Sequence, residues 1–388
     1  KPEAKILVVA VGKAATLMAE EALDHIPEGT PYKAIAITNY ENARRVVGCE
    51  VMAAGHPVPD ENGLKAARSV IKLLKSVDEN DLVLMLISGG GSALLPAPQN
   101  GISLQDKIRI NELLLKGGYD IAETNMIRQQ LSKIKGGGIR RLAPKSKIRS
   151  LIISDVIGND LNVIASGPTA HPIGNKAEAT NLLKRRGHWS LLPATVQDFF
   201  ESPDIKDVKT EESLTVNTLI CSNQQSLLEI LRAADGFDAK ILDFNLDGDV
   251  GKAAERIVEG IYQSSFTRSQ VLIWGGETTV KLKGFGKGGR NQELALRVAE
   301  KLDNLSSDWV FMSAGTDGRD GPTDAAGGIV DRNTIARLRK KGHPLKKFLE
   351  NNDSYSALQL TDDLFITGNT GTNVADVQLF LRRFSLQG

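Results

Sequence analysis

Lys13, the run Ser88-Gly89-Gly90-Gly91-Ser92, Asp155, Arg290 and Asp317 are the residues of this sequence whose types and spacing suit work on a small anion. A lysine and an arginine neutralise oxyanions, and the arginine adds planar, bidentate recognition. Glycines between two hydroxyls let the backbone turn tightly and offer successive N–H groups to an anion. An aspartate directly behind a buried strand can take a hydroxyl proton or hold a divalent cation. The chemistry these groups share is phosphoryl transfer, in which positioning and electrostatics carry most of the catalysis.

Strands and turns must position them. Leu82–Ile87 is an unbroken apolar run of strand length, as expected of a strand buried on both faces of a parallel sheet. The Ser88–Ser92 loop leaves its carboxyl end, where open α/β sheets bind ligands. Ile6–Val11 is a second such run, and Gly12-Lys13-Ala14-Ala15 turns it into an amphipathic helix ending near His25, whose N-terminus suits an anion. The position five before Gly12 is Leu7, so this is not a Walker A loop. Lys13 opposes the dipole of that helix; it either points into solvent or answers a bound anion, and we adopt the second reading.

Asp155 follows the strand Arg149–Ile153, with Asn159 and the turn-capping Asp160 beyond it. Lys133–Gly138 (KIKGGG) reads equally as a phosphate contact or as a helix C-terminus with cations and glycine. His56, in the proline-stiffened Gly55–Asp60, could polarise an oxygen or anchor the loop, and is placed outside the catalytic set.

The polar stretch Ser202–Glu212 marks a boundary between domains 1–205 and 206–388. Strands at Thr218–Cys221 and Lys240–Phe244 alternate with helices at Asn223–Ala234 and Asp249–Gln263, predicting parallel βαβ units again. Val271–Trp274 and Thr278–Leu282 read as two strands around a turn at Gly275-Gly276-Glu277. Gly284, Gly286 and Gly289 satisfy G-x-G-x-x-G, but the next strand, Trp309–Met312, ends without the acidic residue of a dinucleotide site. Lys281, Lys283, Lys287 and Arg290 suit a polyphosphate instead. Ser313–Gly328 fails the calcium-loop spacing at Arg319 and Gly328. Within it Asp317 is the candidate metal ligand or base, while Asp320 and Asp324 read as turn-formers. Phe365–Thr367 leads into Gly368–Asn373, expected to open a last helix running through Phe384.

Composition sets the outer limits. A chain of 388 residues has room for two domains, and a net charge of +1 implies neither nucleic acid nor an anionic membrane as partner. Cys49 and Cys221 supply neither a disulfide framework nor a thiolate metal site, which favours the cytoplasm. No apolar run approaches a membrane span, and Lys1–Ala4 lacks a signal-peptide core. The first residue is not Met, so an upstream segment is expected to be missing. Oligomeric state is not fixed by sequence, and a homodimer is compatible with it.

In their order along the chain, GKAA (Gly12–Ala15), GHPVPD (Gly55–Asp60), SGGGSAL (Ser88–Leu94), KIKGGG, SDVIGND (Ser154–Asp160), SGPT (Ser166–Thr169), GGRNQE (Gly289–Glu293), the aspartate loop Ala314–Gly327 and TGNTGTN (Thr367–Asn373) resemble the motifs of the type II glycerate kinases. The resemblance runs over nearly the whole chain. It implies an N-terminal Rossmann-like parallel sheet, a C-terminal MOFRL α/β domain (MOFRL region about 270–384), an interdomain cleft, and ATP- and Mg2+-dependent phosphorylation of D-glycerate, in most relatives to 2-phosphoglycerate. By the same resemblance Lys13 and Arg290 match the family's proposed catalytic pair. Asn369 stands where such sequences more often have proline, and the helix that usually precedes the first strand is absent.

On this footing Lys13 and Arg290 would neutralise the transferring phosphoryl group, and Asp155 or Asp317 would hold Mg2+ or take the hydroxyl proton. Ser88, Gly89, Gly90, Gly91, Ser92, Lys133, Asn159, Glu277 and Thr316 make up the expected substrate and phosphate set. Lys287, Gly288, Gly289, Thr370, Gly371, Thr372 and Asn373 are the expected nucleotide contacts. The competing readings are an NAD(P)H-dependent hydroxypyruvate reductase, a kinase acting on the 3-hydroxyl, and a non-catalytic sugar-acid binder. A serine hydrolase using Ser92 ranks below these, because Leu94 takes the last glycine position of a nucleophile elbow.

Overall fold

The computed structural model describes residues 4–203 and 214–383, in two compact units that divide between Ile220 and Cys221. The boundary expected at Ser202–Glu212 falls mostly on 204–213, outside the described residues.

The first unit contains β1 (Ile6–Val11), α1 (Ala15–Asp24), β2 (Tyr32–Asn39), β3 (Glu50–Ala54), α2 (Glu61–Leu74), β4 (Leu82–Ile87), α3 (Gly91–Leu94), α4 (Leu104–Lys116), α5 (Ile121–Gln130), α6 (Gly138–Leu142), β5 (Lys147–Ile153), α7 (Lys176–Arg185), α8 (Ala194–Glu201) and β6 (Thr215–Cys221). Its sheet runs β3-β2-β1-β4-β5-β6, and the pairings β1–β2, β2–β3, β1–β4 and β4–β5 are parallel. The order reverses between β1 and β4, so a crevice belongs at their carboxyl ends. Val11 and Ile87 are register partners there, which sets Gly12-Lys13 beside Ser88-Gly89. β1 and β4 are buried on both faces, as their apolar runs require. Helices α4, α5, α7 and α8 make a separate layer with its own core of Ile110, Leu114, Ile127, Leu183 and Val196. Capping boxes Ser103/Asp106 and Asp120/Glu123 start α4 and α5, and this layer carries Lys107 and Arg128.

The strand expected to open the second half, at Thr218–Cys221, is instead the edge strand of this first sheet.

The second unit contains α9 (Asn223–Ala233), β7 (Asp238–Asp249), α10 (Val250–Gln263), β8 (Gln270–Thr279), α11 (Arg290–Lys301), β9 (Trp309–Gly315), β10 (Gly327–Asp331), α12 (Thr334–Lys340), α13 (Leu345–Glu350), α14 (Ser354–Thr361), β11 (Leu364–Phe365) and β12 (Asp376–Arg382). Its sheet order is β11-β10-β9-β12-β8-β7. Three expectations are corrected here. Only β7–β8 is parallel; the other pairings are antiparallel, so the sheet is mixed. Val271–Leu282 is one strand ending at Thr279, because Gly276, with φ +146, continues the ladder where a turn was expected. The last helix is a strand: Asp376–Arg382 lies between β9 and β8, while Phe384 falls outside the described residues. Val377 and Leu379 face the α9 side and Phe380 the Trp309–Phe311 side. Both faces are apolar, and a short apolar run of that kind does not separate a buried strand from a helix.

Candidate active site

In the first unit the glycine loop packs directly against charged side chains. The Lys13 backbone is held by three contacts: its N–H donates to Gly89 O (2.8 Å), and its carbonyl accepts from Asn42 Nδ2 (2.9 Å) and Thr38 Oγ1 (3.4 Å). Its side chain lies against Gly90, where an added Cβ would stand 3.4 Å from Lys13 Cγ and 3.2 Å from His56 Nε2. A Cβ on Gly89 would overlap the Asp155 carboxylate. Lys13, Gly89, Gly90, Asp155 and His56 therefore share one site at the sheet's switch point. Sequence reasoning had set His56 aside.

Burial raises the Asp155 carboxyl above the usual carboxylate range; its own backbone N–H and the nearby Lys13 charge pull less strongly the other way. Desolvation of the ring and then the Lys13 charge hold the His56 imidazole below its ordinary value, with Glu41 opposing.

Ser88 stitches rather than binds. It is buried, its Oγ accepts the Ala14 N–H at 3.1 Å, and its own N–H donates to Val11 O. At the turn into α1 the N–H groups of Gly12, Lys13, Ala14 and Ala15 go to Ile37 O, Gly89 O, Ser88 Oγ and Gly12 O. Gly90, with φ +84, takes the left-handed position that starts α3 at Gly91.

Ser92 sits among cations. Its Oγ receives Arg128 Nη2 at 2.5 Å and Lys135 Nζ at 2.6 Å, and lies 3.0 Å from Ser166 Oγ. Lys107, buried with Lys135, donates to Leu131 O at 3.4 Å. Of the two lysines in KIKGGG, Lys133 points outward to Asn100 Oδ1 (2.7 Å), so the residue turned toward the loop is Lys135. Lys107 and Arg128 gave no motif signal, since they belong to α4 and α5, outside the loop motifs. Asn159 occupies a left-handed turn position (φ 56), its N–H bonded to Val156 O.

In the second unit Arg290 opens α11 and is held by carboxylates. Nε and Nη2 donate to Asp376 Oδ2 (2.6 Å) and Oδ1 (2.9 Å), and Nη1 pairs with Glu277 at 2.8 Å. Burial alone would lower the guanidinium; Asp376 and then Glu277 more than offset this and raise it. Burial also raises the fully buried Asp376, in spite of Arg290. The register of β12 places Asp376 opposite Gly276 and Gly315, which brings Glu277, Asp317 and Arg290 to the same sheet end. Sequence reasoning missed Asp376 because its strand was read as helix.

Thr316 and Thr370 lock neighbouring loops. Thr316 Oγ1 donates to Ala375 O (2.7 Å) and accepts the Val374 N–H (2.8 Å), while Thr370 Oγ1 donates to Thr316 O (2.6 Å). Asp317 Oδ1 accepts the Arg319 N–H at 3.0 Å. Gly371 donates to Asn369 Oδ1, the Thr372 N–H meets Thr370 Oγ1 at 3.5 Å, and Asn373 Oδ1 accepts from Ala375.

The glycine-rich loop before α11 binds its own chain. N–H groups of Lys283 and Gly284 go to Asn352 Oδ1, Phe285 to Asn351 Oδ1, Gly286 to Asn351 O and Lys287 to Asp353 Oδ1. Gly284, Gly286 and Gly288 allow close approach to Asn351–Ser354, and Gly289 to Asp320. Lys287 lies over the Tyr355 ring at 4.1 Å. Asp320 fills the N-terminus of α11, accepting from Asn291 (3.1 Å) and Gln292 (2.8 Å); burial raises its carboxyl to about 6 against those two N–H groups.

Two α/β units, one with a parallel sheet and a lysine–aspartate site at its switch point, the other with an arginine clamped by carboxylates, define a class suited to acting on small anions. Residues 1–201 match the domain of unknown function DUF4147 and residues 270–376 the MOFRL family. A glycerate 2-kinase from Pyrococcus horikoshii is 40% identical, over 96% of this chain and 86% of its own. The crystal structure of glycerate kinase from Thermotoga maritima superposes with TM-score 0.90 at 38% identity, covering 98% of this chain and 92% of that one. A relative from Agrobacterium vitis, 36% identical over 97% of this chain and 99% of its own, carries the provisional name hydroxypyruvate reductase. The chain belongs to the glycerate kinase family in which a DUF4147 domain is joined to a MOFRL domain.

Proposed function

We propose that this protein is a kinase that moves the terminal phosphoryl group of ATP to D-glycerate, at the 2-hydroxyl. One observation carries the chemistry: Lys13 and Asp155 meet across Gly89-Gly90 at the switch point of the parallel sheet. A carboxylate held above its usual range by burial is a better acceptor for a hydroxyl proton, and the adjacent ammonium lowers the cost of charge at the phosphoryl oxygens. In the second unit Arg290 is assigned to hold an anionic phosphoryl oxygen, with Asp376 and Glu277 fixing its plane.

Mg2+ would neutralise charge on the nucleotide phosphates. Among the described residues no three acidic, His or Cys side chains gather into a metal-binding group. Mg2+ is ordinarily held by one or two carboxylates plus substrate phosphates. Asp155 or Asp317 is the carboxylate assigned to it. No helix of the described residues is long and apolar enough to cross a membrane. A cytoplasmic enzyme, able to form a homodimer, is the setting we assign.

Incubation with D-glycerate, ATP and Mg2+, followed by phosphorus NMR, tests the reading. A 2-phosphoglycerate signal that vanishes in Lys13→Ala supports it, and a 3-phosphoglycerate signal keeps the kinase but moves the hydroxyl. The reductase name of the Agrobacterium vitis relative supports a second reading, tested by oxidation of NADH with hydroxypyruvate. Against it, the N–H groups of Lys283–Lys287 in the only dinucleotide-like loop seen in the sequence are spent on residues 351–353.

A further inference from the structure

We infer that Arg128 and Lys135, converging on Ser92, form with the buried Lys107 a seat for the carboxylate of the acceptor substrate. The inference rests on the kinase reading above and adds residues from α4, α5 and the α5–α6 turn. Its starting point is a charge imbalance. Lys107 and Lys135 are 7% and 3% exposed, and no carboxylate among the described residues pairs with them or with Arg128. Buried cations are ordinarily paired, because desolvation of an isolated charge is costly. Here Arg128 and Lys135 aim at a neutral hydroxyl, and Lys107 at the Leu131 carbonyl. Ser166 Oγ donates to Asn125 Oδ1 at 2.9 Å, so the Ser92 proton goes to Ser166 and both Ser92 lone pairs face Arg128 and Lys135.

Donor capacity is left over. Arg128 Nε is buried without a partner, and the one hydrogen bond of the Lys135 ammonium goes to Ser92. Burial depresses both lysine amines, and the mutual repulsion of Lys107, Arg128 and Lys135 depresses them further, which an anion would relieve. Position selects the anion. Ser92 is two residues from Gly90, at most about 7.6 Å between Cα atoms, and Gly90 is where Lys13 sits. A three-carbon hydroxy acid can span from a seat at Ser92 to a reacting hydroxyl near Lys13 and Asp155. The shared ligand chemistry is an oxyanion, and the nucleotide's phosphates are the other source.

Steady-state kinetics and calorimetric titration of D-glycerate into the wild type, Lys135→Met and Arg128→Gln decide it. Both variants should raise KM for D-glycerate roughly 10- to 100-fold, the loss expected for one charge-assisted hydrogen bond, and leave KM for ATP unchanged. An unchanged KM for D-glycerate, or a rise confined to ATP, overturns the inference and reassigns the cations. Should either variant melt early, Ser92→Ala removes only a hydroxyl and is expected to show the same one-sided rise; without it the inference fails. If the wild type transfers no phosphoryl group, the kinase reading falls separately. Calorimetry then still decides the seat: D-glycerate binding lost in the variants supports it, and equal or absent binding in all forms overturns it.

Discussion

Gly89 is the residue at which the least chemistry separates a working site from a blocked one. A methyl group there would overlap the Asp155 carboxylate and push it from Lys13. Misplacement of a catalytic group by about 1 Å costs on the order of 100-fold in rate. Gly89→Ala is therefore expected to lose about that factor in kcat/KM while melting within a few degrees of the wild type; full activity would remove Asp155 from the site. The neighbourhood of Gly89 was legible because strand, glycine and aspartate each leave a mark on the sequence. Lys135 was not distinguishable from Lys133, since the two differ only in which way a turn aims them. Ser132 Oγ, accepting the N–H groups of Ile134 and Lys135, sets that turn. Convergence of Arg128 and Lys135 on Ser92, with Lys107 buried on α4, is a product of packing, and no local spacing encodes it.

At the scale of elements, α11 shows how a loop of the expected composition can serve the fold. Its N-terminus, with a half-positive dipole end and unsatisfied N–H groups, would attract a phosphate, yet Asp320 already occupies it. Asp320→Ala is expected to destabilise the second unit by about 1–3 kcal/mol, the cost of leaving buried donors unmatched, and chemical denaturation followed by the Trp274 and Trp309 fluorescence reads it. A loss of ATP binding with unchanged stability would instead make Asp320 part of a nucleotide site. β4 and β12 mark the limits of pattern reading. β4 is bounded by Asp81 and a triple glycine, so only a strand fits between them. β12 follows hydroxyl-rich turns that equally suit a helix start, and its identity comes from the partners β8 and β9 on either side. Because that strand carries Asp376, misreading the element also hid the residue that orients Arg290.

For the molecule as a whole, a near-neutral net charge hides an uneven interior, and pH should expose it. Burial and then the Arg128 charge lower the Lys107 amine to about 7, and the same forces hold Lys135 well below its ordinary value. The groups facing them are each other, Arg128 and the Ser92 hydroxyl; the nearby Asp106 is engaged with Ser103 and Thr195. An unfolded lysine titrates near 10.4. Between about 7 and that value the unfolded chain holds protons that the folded chain has released, so unfolding takes up protons and stability rises with pH. The slope is at most about 1.4 kcal/mol per pH unit for each lysine inside that window, and it falls to zero above the unfolded value and below the folded ones. A bound carboxylate would restore the charged amines, so D-glycerate should flatten the slope and its binding should take up protons in calorimetry run in buffers of different ionisation heat. Melting temperatures from pH 7 to 9, with and without D-glycerate, and in Lys107→Met, check this. The free protein is expected to gain several degrees across the range, the liganded protein much less and the variant, which keeps Lys135, about half as much. Equal slopes in all three would show that the buried amines keep ordinary values and that no anion is needed to hold them.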